Sequence, residues 1–195
     1  QSGGRGQYGH VVLEVRPLIT EDGHWQSKIG FSAAVSPDKI PHEYIASVER
    51  GVREAAGNGP LAGYLVIGVH ATVVDGSYHS VDSSDLAFEQ AASFALEKAL
   101  KEAGPVLLEP VMRVQVSVPD AYFGAVQADL LSKRGLISDC RVHGPVRIVD
   151  AQVPLVELFG YSSDIRSLTA GRGSFTMEPL SYERVPDQVA KGILY

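Results

Sequence analysis

Two short polar runs carry the side chains best suited to chemistry: Gly3-Gly4-Arg5-Gly6-Gln7-Tyr8-Gly9 at the start, and Gly76-Ser77-Tyr78-His79-Ser80-Val81-Asp82-Ser83-Ser84-Asp85 further on. The first satisfies the dinucleotide pattern G-x-G-x-x-G and, with His10 and Val11, its kinase extension. Context defeats both readings. A dinucleotide loop follows a strand and opens a helix, so that backbone amides and the helix dipole meet the pyrophosphate; this run leads into a strand pattern instead. A kinase also needs His-Arg-Asp and Asp-Phe-Gly, and neither occurs. Two readings of the run stay open. In one, glycine supplies positive φ to a turn; in the other, small residues let backbone amides and Arg5 approach RNA phosphates.

His79, flanked by Ser77, Tyr78 and Ser80, is most simply a solvated turn residue, and acts as a base or metal ligand only with partners. The six histidines show no ligand spacing: His42-Glu43 is followed by Tyr44-Ile45-Ala46, so H-E-x-x-H is missing. No G-x-S-x-G elbow and no G-x-x-x-x-G-K-[ST] phosphate loop is present, which excludes triphosphate hydrolysis by the P-loop route in these residues. Asp82 and Asp85 favour the exposed amides of a helix start and need no catalytic role. Lys133, Arg134, Arg166 and Arg172 remain as cationic candidates. Lys133 and Arg134, in a helix's last turn, read first as dipole-matched surface charges, and Gly171-Arg172-Gly173 as a helix stop. No catalytic residue and no metal site is assigned.

The elements that must position these groups follow from periodicity. Composition, with 195 residues of which 45% are hydrophobic and 21% charged, suits a folded chain of two ordinary domains. The longest apolar run, around Tyr64 to Val69, is far short of a membrane span, no leader opens the chain, and the expectation is a cytoplasmic protein with no membrane partner. Cys140 is the single cysteine, forbidding an intrachain disulfide; it reads as a small packed side chain. Net charge is −6. Residues 1–107 hold eight Lys plus Arg against thirteen Asp plus Glu, and 108–195 nine against ten, so any contact with a nucleic acid would have to be local rather than through a basic face.

In the first half, His10 to Val15, Ile29 to Val35 and Tyr64 to Val74 are strand candidates, the last the strongest. Tyr44, Ile45, Val48, Val52 and Ala55 mark an amphipathic helix after Pro41, stopped by Gly57-Asn58-Gly59-Pro60. A second helix, capped by Asp82 or Ser83, buries Phe88, Ala91, Ala92, Ala95 and Ala99 and ends at Gly104-Pro105. In the second half, Met112, Val114, Val116 and Val118 alternate with polar residues in a strand, and Asp120 caps a helix through Phe123, Val126 and Leu130 that stops at Gly135. Strands at Ile137 to Val142 and Val146 to Val153, one helix from Leu155 through Leu168, and a strand at Ser174 to Tyr182 complete a βαββαβ order, the ferredoxin-like arrangement. That arrangement hosts many activities and assigns none.

Both polar runs, with Gly59-Pro60-Leu61-Ala62-Gly63-Tyr64, Pro105-Val106-Leu107-Leu108-Glu109-Pro110, Phe159-Gly160-Tyr161, Arg166-Ser167-Leu168-Thr169 and Ser174-Phe175-Thr176-Met177-Glu178, resemble elongation factor G in the same order over essentially the whole chain. The resemblance implies an α+β chain of two two-layer α/β domains. Residues 1–107 would be the fourth domain, with a ribosomal-protein-like βαβα fold, a left-handed crossover and its first strand missing; residues 108–195 would be the ferredoxin-like fifth domain with a C-terminal tail. It further implies that Gly3, Gly4, Arg5, Gly6, Gln7, Tyr8, Ser77, Tyr78, His79, Ser80 and Asp82 form a tip that meets messenger and transfer RNA in the decoding site. The fifth domain would adjoin ribosomal RNA and protein of the factor-binding centre, with Lys133, Arg134, Arg166 and Arg172 as candidate contacts.

By the same resemblance the whole factor is a monomeric GTPase that drives translocation. Its GTP and magnesium would lie in a preceding domain, with no cofactor in these residues. Val35-Ser36-Pro37-Asp38-Lys39-Ile40-Pro41 replaces the family's usual glycine pair before Val-Ile-Pro, and Ser132-Lys133-Arg134-Gly135 is less arginine-rich than usual. Ribosome-recycling and tetracycline-resistance ribosome-protection paralogues therefore stay open, the second disfavoured by the intact Gly76 to Ser84 run. A reading of another class is a small phosphate-binding enzyme using the Gly3 to Gly9 loop.

Overall fold

The structure, a computed structural model, describes residues 6–194. Two compact units divide the chain after Leu107: the second is Leu108–Val185, and the described residues from Pro186 on group with the first by contacts. No helix is long and apolar enough to cross a membrane among the described residues.

In the first unit, strands β1 (His10–Pro17), β2 (Ile29–Ala33) and β3 (Val69–Ser77) form a sheet in the order β1-β3-β2. Strand β3 runs antiparallel to β1 and parallel to β2. Helix α1 (His42–Ala56) makes the β2-to-β3 crossover and α2 (Asp85–Ala103) follows β3. The core is Val11, Ile40, Val48, Val52, Ala71, Val73, Phe88, Ala92, Leu96 and Leu100, with the Tyr44 ring stacked on Phe88 at 4.7 Å between centroids. The buried stripe of α2 is thus Ala87, Phe88, Ala92, Leu96 and Leu100, with Ala95 and Ala99 only half-buried beside it. Large aliphatic side chains took the centre of the face because each buries more apolar area than alanine.

The strongest strand candidate is shorter than its composition suggests. Tyr64 to Gly68 is not strand. Gly63 and Gly68 both take positive φ, and the backbone amides turn to other partners, Val66 N–H donating to the Ala56 carbonyl and Gly68 N–H to that of Lys28. A left-handed residue cannot continue a ladder, so pairing starts only at Val69.

In the second unit, β4 (Leu108–Pro119), β5 (Leu136–His143), β6 (Val146–Pro154) and β7 (Ser174–Arg184) form a wholly antiparallel sheet, β5-β6-β4-β7. With α3 (Phe123–Ser132) and α4 (Tyr161–Leu168) between strands, this is the ferredoxin-like topology. Val114, Val116, Val118, Val126, Leu130, Val149, Val153, Tyr161 and Ile165 make its core. A last helix, α5 (Asp187–Leu194), follows β7.

Three local expectations are corrected. The helix drawn from Leu155 to Leu168 is broken: a single 3-10 turn, Leu155–Leu158, is separated from α4 by an extended Phe159 and by Gly160 at φ +80°. Asp120 does not cap α3; a 3-10 turn, Asp120–Tyr122, intervenes, and the carboxylate accepts from Arg147 Nε instead. Cys140 is exposed, because β5 is an edge strand with little cover.

Candidate RNA-contacting tip

Antiparallel pairing decides the geometry of the two polar runs. One precedes β1 and the other follows β3, and the register pairs His10 with Ser77 and Val11 with Gly76. The start of one strand therefore lies beside the end of the other, and runs that are about seventy positions apart in sequence become neighbours. Two glycines make the join possible. A Cβ on Gly76 would lie 2.4 Å from the His10 carbonyl oxygen and 2.5 Å from Ile40 Cδ1, and one on Gly9 would lie 2.6 Å from the Ala87 carbonyl oxygen. Their smallness serves chain-to-chain approach at the base of the tip.

Above that base the loops are hydrogen-bonded to each other. Gly6 N–H donates to Asp82 Oδ1 at 3.0 Å and Tyr8 N–H to the Asp82 carbonyl at 2.9 Å. Ser83 Oγ donates to the Tyr8 carbonyl at 2.9 Å, and the Tyr8 and Ser77 hydroxyls pair at 2.7 Å. Ser77 Oγ also lies 3.1 Å from His10 Nδ1. Within the second loop, His79 N–H donates to Ser83 Oγ at 2.8 Å and Ser83 N–H to the His79 carbonyl at 3.0 Å. His79 Nδ1 faces the Asp82 backbone N–H at 3.3 Å and Asp82 Oδ2 at 3.2 Å. The imidazole side chain is 55% exposed and its ring stands edge-on to Tyr8, 6.4 Å between centroids.

Ser84, rather than Asp82 or Ser83, caps α2, its hydroxyl accepting the Ala87 N–H at 3.2 Å. The physical reason is that the other two are committed to the Gly6–Tyr8 loop. Directly behind the tip, α1 and α2 are joined by buried Ser47, whose hydroxyl donates to Asp85 Oδ1 at 2.5 Å and accepts from Arg50 Nη2 at 2.9 Å. At the tip's flank, the Gly76 backbone N–H and then Lys39, 3.4 Å away, hold the Asp75 carboxyl below the usual range.

Of the tip residues expected from sequence, Gly6, Gln7, Tyr8, Ser77, Tyr78, His79, Ser80 and Asp82 come together here. Gly3, Gly4 and Arg5 lie outside the described residues. Gln7, Tyr8, Tyr78, His79, Ser80 and Val81 are exposed. Asp82, by contrast, is turned into the tip. Sequence reasoning left Ser83 and His10 out of the tip, and only the β1–β3 register could have found them. Between Gly6 and Gly9 and between Gly76 and the capping Ser84, Asp82 is the only formally charged side chain, and it is occupied internally, so the exposed groups of these stretches are neutral hydroxyl, amide, phenol and imidazole. Such a surface recognises by hydrogen bonding and stacking, without bulk attraction for phosphate. Among the described residues no group of His, Cys, Asp and Glu could hold a metal ion.

The cationic candidates of the second unit divide into two kinds. Lys133 is mostly buried, 3.0 Å from Asp164 and 3.5 Å from Asp129, with its ammonium 5.9 Å from the Tyr161 ring centroid. Arg134, at φ +58°, donates to both Glu109 oxygens at 2.7 and 2.9 Å and to Glu157 at 2.9 Å. These pairs raise the affinity of both side chains for their protons, the bond to Asp164 leading for Lys133 and that to Glu109 for Arg134. The two are internal clasps rather than surface charges. Arg166 and Arg172 are exposed and make no ion pair among the described residues.

With the geometry in place, comparison with known proteins is direct. The family model for elongation factor G, domain IV, matches residues 1–104, and that for the elongation factor G C-terminus matches residues 106–193. A crystal structure of a protein from Thermus thermophilus is similar at a TM-score of 0.88 and 43% identity, covering 100% of this chain and 28% of that one. The chain therefore spans about a quarter of the length of that relative.

Proposed function

Since the chain belongs to the elongation factor G family, spanning its domain IV and C-terminal region, we propose that it is the ribosome-engaging arm of a translocating GTPase. The observation that carries this reading is the joining of two distant loops into one tip, its described exposed groups mostly uncharged, backed by a packed sheet and two helices. A tip of that kind occupies space between RNA strands and hydrogen-bonds to them, and its core passes on a displacement without collapsing.

In this reading Gln7, Tyr8, Tyr78, His79 and Ser80, with Gly3, Gly4 and Arg5, meet messenger and transfer RNA in the decoding site. His79 contributes the outer ring edge, because Nδ1 is engaged inside the tip. Arg166 and Arg172 are the second unit's candidates for ribosomal RNA, being exposed cations, while Lys133 and Arg134 are already paired. GTP hydrolysis, and the magnesium it needs, belongs to the family's GTPase domain, and these residues hold no phosphate loop. The factor acts as a cytoplasmic monomer.

Single-round toeprinting on pre-translocation ribosomes with the full-length factor tests this. Wild type should advance the toeprint by one codon. His79→Ala should slow that step about tenfold, the effect of one or two lost hydrogen bonds, with GTP hydrolysis nearly intact. Equal loss of both activities would sink the mechanical reading. An active GTPase that never moves the toeprint would mark a ribosome-recycling or ribosome-protection paralogue.

A further inference from the structure

Asp82 stands where an RNA-facing residue was expected, yet its polar atoms are engaged by the two loops themselves. One carboxylate oxygen accepts the Gly6 N–H at 3.0 Å, the other lies 3.2 Å from His79 Nδ1, and its main-chain carbonyl accepts the Tyr8 N–H at 2.9 Å. A single residue thus binds the first loop at two points and the second at its imidazole. The neighbouring Ser83 adds a parallel link, donating to the Tyr8 carbonyl and accepting the His79 N–H.

The geometry points to Asp82 as a positioning residue that latches the two loops together and fixes the presentation of His79, rather than as an RNA contact. With Nδ1 held against the Asp82 backbone N–H and carboxylate, the ring's rotation is restricted and Nε2 is its outward nitrogen. A neutral ring that accepts the Asp82 N–H at Nδ1 carries its proton on Nε2, and a protonated ring carries one on both nitrogens. A neutral ring protonated at Nδ1 instead donates to Asp82 Oδ2 and turns Nε2 into an acceptor, so the outward nitrogen is a donor in the first two states and an acceptor in the third. The donor states suit a phosphate oxygen, a ribose oxygen or a base carbonyl. Engaging the carboxylate with Gly6 and His79 also lessens the repulsion that the one negative charge between Gly76 and Ser84 presents to a polyanion.

The latch is a statement about this fold; its effect on rate rests on the arm reading above. Two measurements on the full-length factor separate the two. Hydrogen exchange of the peptide covering Gly6 to Tyr8 reads the latch itself. Asp82→Ala should raise exchange there, and Asp82→Asn should restore most of the protection, because an amide oxygen still accepts from Gly6 and an amide N–H can donate to a neutral Nδ1. Unchanged exchange in Asp82→Ala overturns the latch whatever the factor does on the ribosome.

A double-mutant cycle in the toeprinting assay reads the consequence. Asp82→Ala should slow translocation about tenfold, and the Asp82→Ala, His79→Ala double variant should be no slower than His79→Ala alone. Multiplying effects would mean that Asp82 acts independently of His79, and would overturn the positioning role. Greater exchange in Asp82→Ala with a His79→Ala factor as fast as wild type leaves the latch supported and sinks the arm reading instead.

Discussion

Gly51 offers a test in which two well-known effects oppose each other. It lies in α1 where that helix crosses α2, and a Cβ built there would stand 2.0 Å from the Glu89 carbonyl oxygen and 3.1 Å from Ala92 Cβ. Helix propensity alone predicts that Gly51→Ala stabilises the protein by about 1 kcal/mol. The steric effect has the other sign. The oxygen is backbone, so no side chain can swing away, and the helices must separate by about 1.5 Å to restore ordinary contact. That shift loosens Val48 and Val52 against Phe88, Ala92 and Leu96, all of them 0% exposed.

Overpacking of a tight core costs about 1–3 kcal/mol or more, and a rigid backbone obstacle belongs at the upper end. The net expectation is a loss of about 2 kcal/mol. Trp25, the chain's single tryptophan, is in the first unit, so its fluorescence in urea follows that unit's unfolding. Gly124→Ala in α3 is the control: its Cβ meets nothing within 4 Å, and circular dichroism should show it neutral or up to about 1 kcal/mol more stable. A Gly51→Ala protein at least as stable as wild type would refute the reasoning. Because Glu89 lies just past the first turn of α2, the same variant should also disturb the tip that precedes the helix.

Tyr161→Phe should hold stability or raise it by about 1 kcal/mol in chemical denaturation, since the Tyr161 hydroxyl is buried with no hydrogen-bond partner among the described residues; a clear loss would show that it is bonded. Burial raises the Tyr161 phenol above its ordinary 10.0, and the bond to Asp164 raises the Lys133 ammonium above 10.5. Both groups keep their protons longer folded than unfolded, so their contributions are intact below about pH 10 and are lost as pH rises through the folded values. Urea midpoints at about pH 9, 10 and 11 should therefore fall, and fall less in Tyr161→Phe. Ser84→Ala removes the cap of α2 and should cost about 1 kcal/mol in the Trp25-detected transition, whereas Ser83→Ala should spare α2 and loosen the tip.

Periodicity and punctuation in the sequence settled most of the elements, because burial forces the pattern: the alternation of Met112 to Val118 became β4, and the steps from Tyr44 to Ala55 became α1. The quoted motifs identified the family, which the matches over residues 1–104 and 106–193 establish. Boundaries failed where a local backbone state outweighed composition. Gly68 at positive φ cut short an apolar strand pattern, and Gly160 broke an apolar helix pattern. Lys133 and Arg134 looked like surface cations because most of the carboxylates that hold them, Glu109, Glu157 and Asp164, are distant in sequence, Asp129 alone being near.

The two polar runs show the division most plainly. Sequence alone supplied their residues and the small glycines beside them. Only the antiparallel β1–β3 register decided that they share one tip, and only the placement of Asp82 beneath His79 decided which of their groups face outward. The physical reason is that strand order and register are set by where the whole sheet buries its apolar face, a property of the packed core that neither run contains.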